Sequence, residues 1–428
     1  MKRAPVWLTT AFALIALASC ESASGSRPTL GTAGAAGSSG QPTAAGGAPS
    51  GAAGRVSIGR AGAAGNPSQT GLGGLPNAGD SSELAGAAGA AGALGESCDL
   101  ASVDDLEVAL RSTNWDPLGY PPYAFDGCTL VYVASGDDPG ALHVRNLATG
   151  EDAVLESALS KPRRPAVAGS VIAWEADGAL GSEVHVRAGG KVEAISGAFV
   201  RAEEPRATDD AVVFTGFSGP GPHDDSDVYL FSVAKGELSV VAAGAGQQRF
   251  ADVSKTHVAV TDFSEDPKGY FDEMGSISDI VLIERATGMR SNRPAPGKQA
   301  FPLLGADGVF AYLEWAAVHP EPKFGQFWLK VGYLDRPISE DFSVKTTGQV
   351  STNPAYVRPS LHGFNLDFID QGPDGAALYR AALATPGSLA TFKIAGATQL
   401  FGPVAGDRFT LLASPRSAQS VSLLAVPR

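Results

Sequence analysis

The sequence predicts an all-β fold, a seven-bladed β-propeller that follows a disordered linker rich in Gly and Ala. Two observations predict it. The chain after residue 98 repeats a pattern of short strands in register, and the chain before it carries few large apolar side chains. Repeats of about 40 to 50 residues with four short strands each are typical of propellers rather than sandwiches, whose strands need not repeat. A ring of six blades is the alternative that the pattern leaves open.

The composition excludes two other fold classes and one class of partner. The chain of 428 residues holds 53 Gly and 29 Pro and is 18% charged, which excludes a coiled coil and a helical bundle. Its formal net charge is -13. Because binding to nucleic acid requires clustered Lys and Arg that release counterions, this charge opposes a nucleic-acid partner.

Residues 1–20 have the pattern of an export signal. A positive start at Lys2 and Arg3 is followed by an apolar run that is too short to span a bilayer. The run ends at residues 17–20, Leu-Ala-Ser-Cys, which resembles the bacterial lipoprotein box. The resemblance implies that Cys20 is acylated and anchors the protein in a membrane, and the absence of Asp at the next position favours the outer membrane. An ordinary signal peptide with an incidental cysteine is the alternative.

Residues 21–97 form the predicted linker. Most of them are Gly, Ala, Ser, Thr or Pro, in tandem Gly-Ala-Ala-Gly units. So few large apolar side chains cannot offset the entropy lost on ordering the chain. A flexible chain of this length spans roughly 50 Å, which would hold a folded domain clear of a membrane surface.

Cys98 and Cys128 are the two cysteines that remain once Cys20 is assigned to lipid. In an exported chain they predict a disulfide bond. Such a bond would stabilise the fold by about 3.5 kcal/mol through loop closure. A zinc site is poorly supported, because neither cysteine has a second Cys or a His at ligand spacing.

Residues 98–428 form the predicted propeller domain. Each repeat begins near a Pro or an aromatic residue, as at Pro165 and Pro205, and continues into an apolar strand. A second strand follows, and its copies at 142–145 (Leu-His-Val-Arg) and 184–187 (Val-His-Val-Arg) are closely parallel. The histidines of these copies, His143 and His185, are therefore repeat residues rather than metal ligands. A turn with Gly and a last, outward strand complete each of seven copies.

The seventh copy lacks its last strand, because the sequence ends at Arg428 directly after the third. We expect residues 106–110, Leu-Glu-Val-Ala-Leu, to supply it. Pairing the two ends of the domain in one blade would remove two exposed strand edges, and a bond between Cys98 and Cys128 would fasten the closure. A short helix over residues 103–112 is the alternative, since Asp104 and Asp105 could begin one.

Phrases such as Ser-Asp-Val-Tyr-Leu at 226–230 and Ala-Thr-Gly at 148–150 resemble the propeller domains of the TolB-like family of bacterial envelopes. The resemblance extends over most of residues 98–428. It implies a propeller fold and an interaction in the envelope. No separate N-terminal domain of the kind that TolB carries is predicted, so a role in the Tol system is not implied.

Three long loops, between the second and third strands of the third, fourth and fifth copies, hold a concentration of acidic and aromatic residues. Loops at this position emerge at one mouth of a propeller, so we expect them to be neighbours and to form a binding site. A solvated loop is the main alternative for the acidic residues, because exposed carboxylates repel each other weakly in water. The candidate binding residues are His223, Asp224, Asp225, Asp227, Asp266, Tyr270, Asp272, Glu273, Trp315, His319 and Glu321.

No motif specifies a reaction. Residues 216–220 approach the Gly-x-Ser-x-Gly motif but end in Pro, and the histidines show no ligand spacing. We therefore predict no catalytic residue, no metal and no other cofactor. The sequence predicts a monomeric, lipid-anchored propeller of the cell envelope whose partner is an envelope protein or a surface glycan. A propeller-type hydrolase or lyase that uses loop carboxylates such as Asp225 and Asp272 as acid and base is the alternative.

Overall fold

The computed structural model describes the propeller domain with gaps. The described residues are 106–110, 120–135, 139–197, 199–271, 276–315, 327–344, 358–372, 375–384, 388–393, 400–406, 409–417 and 420–427. The chain divides into two compact units, 1–77 and 78–428, and every described residue belongs to the second. The predicted signal peptide, the predicted linker, Cys20 and Cys98 lie outside the described residues.

The described strands form seven antiparallel sheets of four strands each, which are the blades of a seven-bladed β-propeller. The prediction of seven blades is confirmed, and the alternative of six is wrong. In blades 1 to 6 the four strands follow one another in chain order from the inside of the ring outwards.

Blades 1 to 3 consist of β2 (Tyr123–Asp126), β3 (Thr129–Val133), β4 (Leu142–Asn146), β5 (Asp152–Glu156), β6 (Arg163–Ala168), β7 (Val171–Asp177), β8 (Ser182–Ala188), β9 (Lys191–Ala194), β10 (Arg201–Ala207), β11 (Ala211–Phe217), β12 (Ser226–Ser232) and β13 (Glu237–Ala242). Blades 4 to 6 consist of β14 (Gln248–Val253), β15 (His257–Asp262), β16 (Asp279–Glu284), β17 (Arg290–Arg293), β18 (Lys298–Leu304), β19 (Val309–Trp315), β20 (Phe327–Tyr333), β21 (Phe342–Ser343), β22 (Ser360–His362), β23 (Asn365–Gly372), β24 (Gly375–Ala382) and β25 (Leu389–Lys393). The helical elements of the described chain are 3-10 turns at Ala158–Ser160, Ala306–Gly308 and Ile338–Glu340.

Blade 7 joins the two ends of the domain. It contains β26 (Phe401–Ala405), β27 (Phe409–Ser417), β28 (Ser420–Pro427) and, as its outer strand, β1 (Leu106–Leu110). β1 pairs antiparallel with β28, with Leu106 opposite Leu423. The predicted closure is therefore confirmed, and the helical alternative for this segment is wrong.

Cys128 lies in the turn between β2 and β3 and is disulfide-bonded. Its predicted partner, Cys98, is not among the described residues. The pairing of these two cysteines stays a prediction.

The apolar core lies between neighbouring blades. β11 is buried along its whole length and β7 at all but its last residue, whereas the outer strands β9 and β13 are largely exposed. This gradient arises because adjacent blades cover both faces of the inner and middle strands. The most extensive cluster joins blades 4, 5 and 6 and includes Phe250, Phe301 and Phe368.

The two histidines that the sequence assigns to the repeat occupy equivalent places. Tyr132 stacks on His143 across β3 and β4, with ring centroids 5.2 Å apart. Trp174 packs on His185 in the same way across β7 and β8, at 5.5 Å. Each histidine thus fills a cross-strand aromatic position of its blade.

The innermost strands of five blades share a bulge. Pairing between the first and second strands shifts register at this point, and one residue there has a positive φ. Bulges re-aim side chains, and a positive φ costs a non-glycine residue on the order of 1 kcal/mol. The bulge residues are Arg164 (φ 48°), Glu204 (64°), Phe250 (54°), Phe301 (57°) and Gly402 (47°).

Candidate functional site: a loop face and a central channel

The ring has two ends of different character. Because the strands alternate in direction, the loops between second and third strands lie beside the beginnings of the innermost strands. The bridge between Ser226, the first residue of β12, and Gln247, just before β14, is one such contact. We call this end the loop face. The innermost strands finish at the opposite end, which we call the channel face.

Two of the three predicted loops meet on the loop face. His223, in the loop at 218–225, packs on Tyr270, in the loop at 263–278, with ring centroids 3.9 Å apart. The Lys268 ammonium lies 5.8 Å from the same tyrosine ring. The loops of blades 3 and 4 are therefore neighbours, as the sequence predicts.

Gln247 joins these two loops, and the sequence analysis does not identify it. Its side chain is fully buried. Its Nε2 donates to the Pro222 and Asp224 carbonyls at 2.9 and 3.0 Å, and its Oε1 accepts from the Phe271 N–H at 3.1 Å. One side chain thus satisfies backbone groups of both loops, which fixes their relative position. No motif marks such a residue, because its partners are distant in sequence.

Two of the predicted acidic residues hold the loops themselves. Asp266 is 7% exposed, and it accepts hydrogen bonds from the Lys268, Gly269 and Ile277 N–H groups at 2.7, 3.1 and 2.6 Å. Asp224 accepts from the Gly221 N–H at 2.5 Å. Both carboxylates therefore organise turns.

Asp225 and Asp227 line a cavity of about 430 Å³ on the loop face. The rings of Phe199 and Tyr229 lie 4.4 Å apart on its wall. This approach needs glycine at position 216, because a Cβ there would lie 2.8 Å from the Tyr229 ring. Burial raises the pKa of Asp227 above its usual value. Carboxylates beside aromatic rings can bind hydroxyl or ammonium donors.

Other predicted site residues cannot be placed on this face. Asp272, Glu273, His319 and Glu321 lie outside the described residues, and of Trp315 only the backbone is described. The loop of blade 5 and the suggested pair of Asp225 with Asp272 therefore stay predictions.

The channel face opens into a central cavity of about 300 Å³. The last residue of every innermost strand lines it, so it lies on the axis of the ring. These residues are Asp126, Ala168, Ala207, Val253, Leu304, His362 and Ala405.

A layer of buried side chains blocks the channel before it reaches the loop face. Tyr120, Phe250 and Phe301 in this layer are at most 2% exposed. The rings of Phe250 and Phe301 are 4.3 Å apart. Guanidinium carbons of three arginines surround the Tyr120 ring, at 5.2 Å for Arg164, 4.9 Å for Arg206 and 3.5 Å for Arg358.

Ion pairs connect this layer across blades 2, 3 and 4. Arg164 Nη1 lies 3.0 Å from both the Glu175 and the Glu203 carboxylates. Arg249 pairs with the Glu204 carboxylate, which also accepts from the Thr215 hydroxyl at 3.0 Å. Arg164 and Arg249 of this wall therefore end on carboxylates.

Glu175, an acid of this wall, has a pKa above the ordinary value of a glutamate. Burial raises its pKa to about 6. The Arg164 charge opposes that rise, and the Glu203 carboxylate adds to it. At 1% exposure Glu175 is closed to a substrate.

Two further features concern metals and membranes. In the described ranges no three His, Cys, Asp or Glu side chains gather as metal ligands would. No helix within the described chain has the length and apolarity to cross a bilayer.

Comparison with known proteins finds similarity in structure. No family model matches the chain, and no curated protein matches it. An oligogalacturonate lyase in complex with manganese is 12% identical, with a TM-score of 0.50, over 76% of this chain and 96% of that chain. The chain shares the propeller fold. At such low identity the similarity shows the fold alone.

Two other solved structures are similar to this chain over part of their length. TolB from Acinetobacter baumannii is 10% identical, with a TM-score of 0.39, over 70% of this chain and 63% of that one. The acylaminoacyl peptidase of Pyrococcus horikoshii is 10% identical, with a TM-score of 0.49, over 73% of this chain and 52% of that one. This chain thus spans less than two thirds of either protein.

Proposed function

We propose that the protein is a lipid-anchored β-propeller of the bacterial cell envelope, which binds a protein or glycan partner through its loop face without catalysing a reaction. One observation carries the proposal. The buried Gln247 side chain binds backbone groups of two long loops, so that the surface bearing His223 and Tyr270 is ordered before a partner arrives. Preorganised loops on a rigid scaffold suit recognition by shape.

The chemistry of the loop face supports binding rather than turnover. A glycoside-cleaving site needs two available carboxyls about 5 to 10 Å apart. Both oxygens of Asp266 and one oxygen of Asp224 accept hydrogen bonds from backbone N–H groups. The cavity beside Asp225 and Asp227 combines carboxylates with the Phe199 and Tyr229 rings, which suits hydroxyl-rich or cationic groups of a partner.

Binding at the loop face can be tested by capture from crosslinked envelopes. The bait is the full chain, and the variant combines His223→Ala with Tyr270→Ala. The matched control is His257→Ala, at the start of β15 and therefore at the other end of the ring. We expect the control to retain a partner that the double variant loses. Retention by both proteins, or a partner that also requires His257, would contradict the proposal.

The anchor is tested separately. Cys20→Ala should leave the protein in the soluble fraction of lysed cells, because no acyl chain can then be attached. Cys98→Ser is the matched control and should stay with the membrane. Membrane association of the Cys20 variant would refute lipid anchoring and leave the loop-face proposal intact.

A further inference from the structure

Two arginines at the blocked end of the channel stand apart from the others. Arg206 belongs to β10, and Arg358 directly precedes Pro359 and β22. Both line the central cavity. Their guanidinium carbons lie 4.9 and 3.5 Å from the centroid of the same Tyr120 ring. Two positive charges are therefore held close together on the wall of one cavity.

Part of their hydrogen-bonding capacity is unused within the described residues. Arg358 is 5% exposed, and its Nε and Nη1 have no hydrogen-bond acceptor in the part of the chain that the structure describes. The Nε of Arg206 is also buried and has no hydrogen-bond acceptor among the described residues. The ion pairs of the channel wall involve Arg163, Arg164, Arg201 and Arg249, and within the described ranges none includes Arg206 or Arg358.

Asp252 lines the same cavity as the two arginines. Asp252 accepts a hydrogen bond from the Leu304 N–H at 2.7 Å, and burial raises its pKa, which opposes its ionisation. Burial lowers the pKa of Arg358, and the neighbouring Arg206 charge lowers it as well. A buried cation is costly unless an anion accompanies it. Glu204, whose charge also acts on Arg358, is paired with Arg249. Asp126, which also lines the cavity, accepts a hydrogen bond from the Gly169 N–H. The carboxylates near the two arginines are therefore engaged by other groups of the protein.

Part of the cavity wall is apolar. Pro121, Pro165, Pro359 and Pro403 line it from four different blades. Proline has no N–H group, so these positions present apolar surface. The guanidinium groups of Arg206 and Arg358 are charged donors on this wall, and the guanidinium fork matches the two oxygens of a carboxylate.

We propose that the channel face binds a carboxylate group, which accepts hydrogen bonds from Arg358 and Arg206 while the proline-lined wall encloses the atoms next to it. The cavity of about 300 Å³ admits a chain end or a single small molecule rather than a folded surface. A carboxylate of this kind ends a peptide chain and is also present on a uronic acid. This site is independent of the loop face.

Isothermal titration of the full chain tests the proposal with two pairs of probes. Tri-alanine is compared with its C-terminal amide, and glucuronate with glucose, so that each pair differs in the carboxylate. We expect at least one of the two carboxylates to bind and its neutral counterpart to fail. Binding of tri-alanine alone indicates a peptide end, and binding of glucuronate alone indicates an acidic sugar.

Variants locate the binding. Arg358→Gln and Arg206→Gln should each weaken carboxylate binding by at least about tenfold, the factor that loss of one charge-assisted hydrogen bond implies. Arg290→Gln on the exposed outer strand β17 removes the same charge and should bind normally. His223→Ala should also bind normally, which separates this site from the loop face. If Arg358→Gln does not fold, Arg206→Gln carries the comparison.

Three results would overturn the proposal. They are failure of both carboxylates to bind the folded wild type, equal affinity for the charged and neutral probes, and unchanged affinity in folded Arg206→Gln and Arg358→Gln.

Discussion

Two sets of arginines lie within the same channel wall and differ in their partners. Arg164 and Arg249 end on the carboxylates of Glu175, Glu203 and Glu204, and they connect blades 2, 3 and 4. Arg206 and Arg358 surround the Tyr120 ring, and buried nitrogens of both have no acceptor in the described chain. Burial, charge and position on the ring axis are similar in the two sets.

The partners of a buried polar group separate structural from functional groups in this fold. A buried charge that meets its partner inside the protein stabilises the arrangement of blades, and its removal leaves that partner unpaired. A buried charge without a partner opposes folding, so a ligand that pairs with it stabilises the folded protein. The same contrast applies to the loop face, where Gln247 is fully bonded and the ring of His223 meets solvent.

The largest expected effect comes from breaking the paired set. Glu204→Gln should lower the free energy of unfolding by about 3 kcal/mol, because Arg249 would lose its buried counterion. Urea unfolding measures this change. Glu237→Gln, on the exposed strand β13, removes the same charge and should stay within about 0.5 kcal/mol of wild type. Equal stability of the two variants would mean that the ion pairs do not hold the blades.

A fully bonded neutral group should have the next largest effect. Gln247→Leu should lower the free energy of unfolding by about 2 kcal/mol, since the Pro222 and Asp224 carbonyls and the Phe271 N–H lose their partner. Amide hydrogen exchange should also become faster in the loops at 218–225 and 263–278. Unchanged exchange there would contradict the role of Gln247 in joining the loops.

The paired set also predicts a pH dependence. The pKa of Glu175 is about 6 in the folded protein, above that of an unfolded chain, so the folded state binds its proton more tightly. This contribution to stability is complete at low pH and is lost as pH rises through the pKa of the unfolded chain to about 6, a change of roughly 1 to 2 kcal/mol.

The difference between wild type and Glu175→Gln isolates this titration. Urea unfolding of both proteins, from pH 4 to pH 7, should show a slope in the wild type that the variant lacks. Parallel curves, or a wild-type slope of opposite sign, would show that Glu175 does not titrate as its surroundings imply.

The smallest change in stability is expected where a charge has no partner. Arg358→Met should alter the free energy of unfolding by less than about 1 kcal/mol, or raise it, because it removes an unsatisfied buried cation and keeps contact with the Tyr120 ring. Thermal and urea unfolding of Arg358→Met, Glu204→Gln and the wild type under the same conditions measure this difference in stability. A loss as large as that of Glu204→Gln would place Arg358 in the structural set.

Much of the fold can be predicted from the sequence because each repeat is a local pattern of neighbouring residues. The copies at 142–145 and 184–187 fix equivalent strands, and the spare apolar segment at 106–110 becomes the outer strand of blade 7. The site does not follow in this way. Gln247 and Arg358 contact residues of other blades, so their roles depend on the closed ring. One signal in the sequence could have marked part of the channel wall, because four of its residues directly precede a repeat proline. These residues are Arg164, Glu204, Phe301 and Arg358.

Site-specific photocrosslinking in intact cells tests recognition through the loop face. A benzoyl-phenylalanine at position 223 should give a discrete adduct with an envelope component. The same residue at position 289, exposed on the outside of blade 4, should give none. An adduct of equal yield from position 289, or no adduct from position 223 when the protein is expressed at its natural level, would contradict recognition through the loop face.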